Sequence, residues 1–504
     1  MLGWELDWLK NRARLAPEAE AIADAKTDQI WSYSQIDKRA EAVAAWLVAR
    51  GIQKGDRVAL LSPNNICYFD LLFACGKIGA IFVPLNWRLS IKELKYIFSD
   101  ASPKLVGFHS DMEHMVTQFC ELGSTFNVDN EEYDIITNSG AFISVPVDLG
   151  WEDPLEIIYT GGTTGEPKGV VLSHRAILWN GVNTVLSWNL TNSDISITYL
   201  PMFHTGGLNA LSIPLLVAGG KVVIANDFQP EKAVEYLNSF YCTVALFVPT
   251  MYHMMVKTNA FQKSDFPAMK VFLSGGAPCP LEIYDEFRKK GLAFKEGYGL
   301  TEAGPNNFYI DPGDAWRKRG SIGKPMLFNS AVILKEDGSN ALAGEVGELL
   351  IQGKHCFSYY WKNKQATMDA LNAGWLHTGD LAKSDEEGFY YIVGRKKEMI
   401  ISGGENIYPL EIEHWICSHP GVNETAVIGL PDEKWGEAVT AFVVLATSGT
   451  ITADEIKEFC RDKLAGYKIP KRIYFLEELP KTPVGKIDKK QLKDYAMAGT
   501  EKQE

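Results

Sequence analysis

Between residues 159 and 169 the chain reads YTGGTTGEPKG, a segment that can neither form a helix nor fill a core. Its glycines let backbone N–H groups converge on an anion, its threonines donate hydrogen bonds and Lys168 adds charge, so phosphate is the ligand these types suit. It is not a Walker A loop, which needs GxxxxGK[ST]; here Pro167 precedes Lys168, and Gly169 and Val170 follow it. A plain flexible turn is the alternative. EGYGLTE, 296–302, follows an expected strand end, where ligands of α/β sheets bind. There Tyr298 can stack on a flat ring, Thr301 can donate to phosphate and Glu302 can hold hydrated Mg²⁺; an aromatic turn with a surface glutamate competes. WLHTGD, 375–380, ends in a carboxylate that could accept from both ribose hydroxyls, or close an Asx turn. Lys486, in PKTPVGKIDKK, is either a reagent or a solubilising charge.

These groups need elements to position them. From residue 33 the chain alternates helix and strand. SYSQIDKRAEAVAAWLVARG puts Ile36, Ala40, Val43, Ala44 and Leu47 on one helical face, and RVALLSP, AIFVPLN, ISITYLP, KVVIAN, CTVALFVP and KVFLSGG read as strands. Short apolar runs between helices predict parallel sheets covered on both faces. Past about residue 330, AVILKEDG, GEVGELLIQG and GFYYIVG predict a β-rich subdomain. After GRKKEMI the texture is mixed again, with a capped helix expected in TADEIKEFCRDKLAGY. The fold class is α/β: a large domain over 1–394, with its β-rich part at about 310–394, and a small mobile α+β domain over 395–504.

With 504 residues, more than one core is expected. A net charge of −13 disfavours nucleic acid and anionic membranes as partners. No apolar signal core opens the chain, and the longest apolar stretch, Gly207 to Ala225, is broken by Pro214, Gly219, Gly220 and Lys221. The eight cysteines form no CxxC pair, which leaves a zinc or thioredoxin-like site unsupported and suits a reducing cytoplasm. Residues 460–493 hold ten Lys/Arg against four Asp/Glu, a local +6 that is either a solvated face or a surface for polyphosphate.

Taken together and in this order, YTGGTTGEPKG, GYGLTE, WLHTGD, GRKKEMI and PVGKI resemble the motifs of the adenylate-forming superfamily, over about residues 5 to 490, with bacterial acyl-CoA ligases the nearest in texture. The resemblance implies an ATP-dependent ligase that makes acyl-AMP from a carboxylic acid and passes the acyl group to CoA, with Mg²⁺ and a swinging small domain. Thr160, Gly161, Gly162, Thr163, Thr164, Gly165 and Lys168 would hold the phosphates. Gly275, Gly276, Ala277 and Pro278, with Glu296, Gly297, Tyr298, Gly299 and Thr301, would form the nucleotide cradle. Glu302 and Thr164 would bind the metal, and Asp380 and Arg395 the ribose. Lys486 would assist adenylation, His204 in PMFHTGGL would sit beside the acyl carboxylate, Lys397 would be the hinge, and Gly403 and Gly404 would line a pantetheine tunnel after rotation. A homodimer is compatible with it.

Two positions depart from the resemblance. Gly161 stands where Ser or Thr is usual, and Ile469 stands in YKIPKR where benzoate-type ligases carry Arg, passing the CoA nucleotide to neighbours such as Arg88, Lys468, Lys471 or Arg472. The chain runs 18 residues beyond Lys486 without a carrier domain, so a stand-alone enzyme loading a carrier protein is the second expectation, and a non-catalytic acyl-nucleotide binder the third. Phe203, Phe247, Met251, Tyr252 and Phe308 favour an apolar acid, fatty or aromatic; core packing explains them equally well.

Overall fold

A computed structural model describes residues 5–120, 124–143, 147–161, 166–446, 451–482 and 487–500, with side chains as far as 498. The helix Tyr33–Ala49 starts at a capping box between Ser32 and Gln35, and its five predicted apolar residues are all buried. It packs beside the helix Cys67–Ile78 in a layer between two sheets. One core cluster joins Ile22 and Val222 of one sheet, through Ile36, Val43 and Leu71, to Val58 and Ile158 of the other.

The seven-stranded sheet runs Tyr359–Tyr360, Lys168–Ser173, Pro154–Thr160, Ile81–Pro84, Arg57–Leu61, Leu105–Phe108, Thr125–Asn127. Its last five strands are parallel, as expected, but its first two joins are antiparallel. The connection over 161–167 is too short for a parallel crossover, so the chain folds back as a hairpin. A second sheet carries Glu20–Asp24, Lys221–Ile224 and Ile195–Thr198 in parallel, with Ile30–Ser32 on its edge, and Val244–Phe247, Val271–Ser274 and Phe294–Glu296 form a parallel set of three.

The β-rich part is an antiparallel sheet of Asn329–Leu334, Gly347–Gly353, Trp375–Ser384, Leu371–Asn372 and Tyr390–Arg395. Sheet membership then changes. A single 3-10 turn, Lys396–Glu398, leads to Ile400–Ser402 in a separate sheet with Glu405–Ile407, Gly436–Leu445, Val422–Asp432 and Arg472–Leu476. Along Gly436–Leu445, Val439, Ala441 and Val443 face one small core while Phe442 and Val444 face another, so both faces are covered. The helix Ala453–Arg461 begins at a capping box of Thr452 and Glu455, as expected, and ends at Arg461, short of the expected Tyr467. No helix among the described residues is long and apolar enough to cross a membrane.

Candidate active site

The strands Val271–Ser274 and Phe294–Glu296 lie side by side, Ser274 opposite Glu296, and each releases a glycine-rich loop at its carboxyl end. Gly297 N–H donates to the Ser274 carbonyl at 2.8 Å and Gly275 N–H to that of Phe247 at 3.2 Å, so the loops leave the sheet together. Gly276, Ala277 and Pro278 are exposed. Glu296 is turned inward instead: its carboxylate accepts from Cys279 N–H at 3.1 Å and from the Tyr284 hydroxyl at 2.8 Å, which braces the first loop from beneath, and burial pushes its carboxyl up to about 7. Gly299 cannot carry a side chain, because a Cβ there would lie 2.0 Å from the Pro305 carbonyl oxygen. The loop therefore closes on itself, with Asn307 N–H donating to the Tyr298 carbonyl at 3.1 Å.

Asp380 lies within the strand Trp375–Ser384, directly opposite Arg395 on the next strand, which settles its conformation against an Asx turn. Arg395 Nε meets Asp380 Oδ1 at 2.7 Å, and the Tyr298 hydroxyl donates to Asp380 Oδ2 at 2.5 Å. The carboxylate is buried, so its two partners offset much of its desolvation. Burial and the Asp380 charge together hold the Tyr298 phenol well above its ordinary range, keeping it a donor. The Tyr298 ring meets Phe308 edge-on at 5.8 Å.

The two ends of the glycine- and threonine-rich segment are held by antiparallel pairing of Pro154–Thr160 with Lys168–Ser173, Thr160 opposite Lys168. Gly162, Thr163, Thr164 and Gly165 lie outside the described residues, as does Lys486. A Cβ on Gly161 would meet nothing within 4 Å, so sterics do not demand the glycine that stands there. Lys168 Nζ sits 5.3 Å from the centre of the Tyr360 ring, and the Tyr360 hydroxyl donates to Glu302 Oε1 at 2.7 Å. Tyr360 arrives by strand pairing opposite Val170. Sequence reading missed it, and two consecutive tyrosines in FSYYW are the only local signal. Thr301 is buried beside Glu302 in the 3-10 turn Thr301–Ala303. Among the described residues no group of three acidic, histidine or cysteine side chains could hold a metal. One carboxylate, with Oε2 unengaged among those residues, does fit an ion that takes most of its ligands from phosphates and water.

His204 caps the short helix Thr205–Leu208. Its Nδ1 accepts from Gly206 N–H at 3.1 Å, so the proton of the neutral ring resides on Nε2. Phe203 beside it is buried edge-on to Trp87, with Arg88 above the Trp87 ring at 4.9 Å. Phe247 and Tyr252 belong to an aromatic core cluster, the Tyr252 hydroxyl donating to the Leu273 carbonyl at 2.7 Å; they are packing residues, and Met251 packs against the same cluster.

In the small domain, Gly403 and Gly404 form a two-residue hairpin turn between Ser402 and Glu405, both at positive φ, a conformation that favours glycine. Lys397 is exposed between two anchored neighbours: Lys396 pairs with Glu348 of the β-rich sheet and Glu398 with Lys489 of the small domain, both at 3.0 Å. Four cations of the basic window 460–493 pair with acids earlier in their own domain. Lys468 meets Glu411 at 2.7 Å, Lys489 meets Glu413 at 2.9 Å, Lys481 meets Glu424 at 3.0 Å and Arg472 meets Asp432 at 3.1 Å. The acids lie earlier in the chain, outside the window that made it look basic.

Residues 9–361 match the AMP-binding enzyme family and residues 411–486 the AMP-binding enzyme C-terminal domain. A feruloyl-CoA synthase of Amycolatopsis sp is 36% identical over 482 residues, covering 95% of this chain and 96% of its own. An indoleacetate–CoA ligase of Aromatoleum aromaticum is 35% identical, covering 96% of each. The solved structure of o-succinylbenzoate CoA synthetase from Bacillus subtilis, in complex with its acyl-adenylate intermediate, superimposes with a TM-score of 0.87 at 30% identity over 97% of this chain and 98% of that one. With both domains matched and the relatives covered end to end, the chain belongs to the AMP-binding enzyme family.

Proposed function

We propose that this protein activates an apolar, aryl-bearing carboxylic acid as its acyl-adenylate and transfers the acyl group to CoA. The protein is an acyl-CoA ligase; the acid and the residue roles are the proposal. One observation carries the roles. A single closed loop bears Tyr298, bonded to Asp380, and four residues on Glu302, bonded to Tyr360 beside Lys168. A nucleoside grip and a phosphate grip on one loop suit one ATP.

A carboxylate is a poor acyl donor because its leaving group would be oxide. The acid's oxygen attacks the α-phosphate and pyrophosphate departs; the CoA thiol then attacks the acyl carbon and AMP departs. No protein nucleophile is needed, so positioning and charge do the work. Asp380 and Arg395 hold the ribose, the exposed Gly276–Pro278 edge and the Tyr298 ring hold the base, and His204 Nε2–H donates to the acid. Thr160 to Lys168 hold the phosphates, and Lys486 bridges carboxylate and phosphate oxygens. Glu302, with Thr164, would hold Mg²⁺, which when bound offsets phosphate charge. Rotation about Lys397 then exchanges Lys486 for the Gly403–Gly404 turn, admitting pantetheine. The aryl preference rests on the Phe203–Trp87 contact beside His204 and on the names of the two relatives. A cytoplasmic setting suits eight unpaired thiols.

AMP release with hydroxycinnamic, arylacetic and graded fatty acids tests the proposal. An aryl acid should give the highest kcat/KM. A long-chain fatty acid exceeding every aryl acid by about tenfold, a difference of about 1.4 kcal/mol, would overturn the assignment.

A further inference from the structure

A carboxylate outside the site just described reaches both of its halves. Glu156 lies on the strand Pro154–Thr160 and is 0% exposed. Its Oε2 accepts from Asn209 Nδ2 at 2.9 Å, and its Oε1 is buried without a partner. Among the described residues no cation pairs with it. Its strand neighbours Leu155, Ile157 and Ile158 are apolar, the ordinary content of a strand buried on both faces. A buried carboxyl with one hydrogen bond costs stability, so packing does not explain it. Burial raises its carboxyl to about 7.

The two ends of the Glu156–Asn209 bond lead to different parts of the site. Asn209 closes the helical turn that begins at His204: its N–H donates to the Thr205 carbonyl at 2.8 Å, and its Nδ2 also reaches Thr205 Oγ1 at 3.3 Å. Asn180 Nδ2 secures the Asn209 carbonyl at 2.8 Å. On the strand, Glu156, Ile158 and Thr160 share one face by the two-residue alternation, and Thr160 opens the phosphate hairpin about 13 Å along. We infer that Glu156 is a positioning residue for adenylation: through Asn209 it fixes the His204 turn against the strand that carries the phosphate loop, keeping the acid in line with the α-phosphate. The inference rests on the reading that His204 faces the acyl carboxylate.

The test is acid-dependent exchange of pyrophosphate into ATP, measured beside thioester formation from supplied acyl-AMP, in Glu156→Leu, Glu156→Gln, Asn209→Ala and His204→Ala. Glu156→Leu is expected to keep its melting temperature or raise it, yet to lose about 10- to 100-fold in the kcat of exchange, the scale of a misplacement near 1 Å, with thioester formation within about threefold of wild type. Glu156→Gln, whose amide oxygen can accept the same bond, restores exchange. Asn209→Ala reads the other end of the bond should Glu156→Leu fold poorly, and adds little loss in the double variant. Normal exchange in Glu156→Leu or, if that variant is unfolded, in Asn209→Ala overturns the inference; so does equal loss in both half-reactions, or a Glu156→Gln as weak as Glu156→Leu. If His204→Ala itself exchanges normally, it is the reading of His204 that fails; if His204→Ala is impaired and Glu156→Leu is not, only the positioning role fails.

Discussion

The part of the large domain proposed to hold the nucleoside and the small domain follow different rules of construction. Around Asp380 the polar groups hold each other: Asp380 sits between Arg395 at 2.7 Å and the Tyr298 hydroxyl at 2.5 Å, on neighbouring strands and on a loop braced against itself. In the small domain Lys468, Arg472, Lys481 and Lys489 are each held by an acid of the same domain, and one 3-10 turn, Lys396–Glu398, joins it to the rest. The first arrangement is rigid and presents prepared donors and acceptors. In the second, four cations are compensated locally, which suits the rotation proposed above, since less uncompensated charge would cross the site. Under the proposed mechanism, precision belongs to the part that would grip nucleotide, and mobility to the part that carries Lys486.

The sharpest way to break this contrast is Lys486→Ala. Acid-dependent pyrophosphate release is expected to fall about 10³-fold, the loss typical of one transition-state donor, while thioester formation from supplied acyl-AMP stays within a few-fold. Comparable losses in both half-reactions would refute the division of labour between the domains.

Next in size is Asp380→Ala, which strips the acceptor from Arg395 and Tyr298 at once. An ATP titration is expected to show kcat/KM down about 100-fold, since the Tyr298 hydroxyl and the half-exposed Arg395 guanidinium both lose their acceptor; an unchanged KM for ATP would count against the ribose role. Tyr360→Phe removes only the bond that orients Glu302, so about tenfold in the kcat of adenylation is expected, with a higher Mg²⁺ requirement. Gly161→Ser works in the opposite direction. The position has room for a side chain, and a hydroxyl there should lower KM for ATP about threefold, the value of one modest hydrogen bond.

The smallest expected effect on activity comes from Lys295→Met, which sharpens the contrast through stability. Lys295 is buried, lies 4.1 Å from the Tyr309 ring centre and 4.9 Å from that of Trp188, and burial pushes its amine down to about 7. An amine of depressed folded pKa binds fewer protons folded than unfolded, so wild-type stability rises as pH climbs from 7 towards 10. Lys295→Met should therefore raise stability at pH 7 by up to about 4 kcal/mol, with the gain gone by about pH 10. Denaturant melts at the two pH values measure it, and a gain that ignores pH would point to packing alone.

The sequence by itself determined the elements and the motifs, because those signals are local. Helical periodicity placed Ile36 and Leu47 in the core, capping boxes started helices at Ser32 and Thr452, and paired glycines made the turn at Gly403 and Gly404. Tertiary structure decided which side chains meet. Tyr298 and Asp380 are 82 residues apart, Tyr360 and Glu302 are 58 apart, and Glu156 and Asn209 are 53 apart. It also turned Glu296 of the nucleotide motif into a brace under the neighbouring loop, and paired the basic window with acids far up the chain. Such meetings depend on which strand ends the sheets bring side by side, and no spacing within one segment encodes that adjacency.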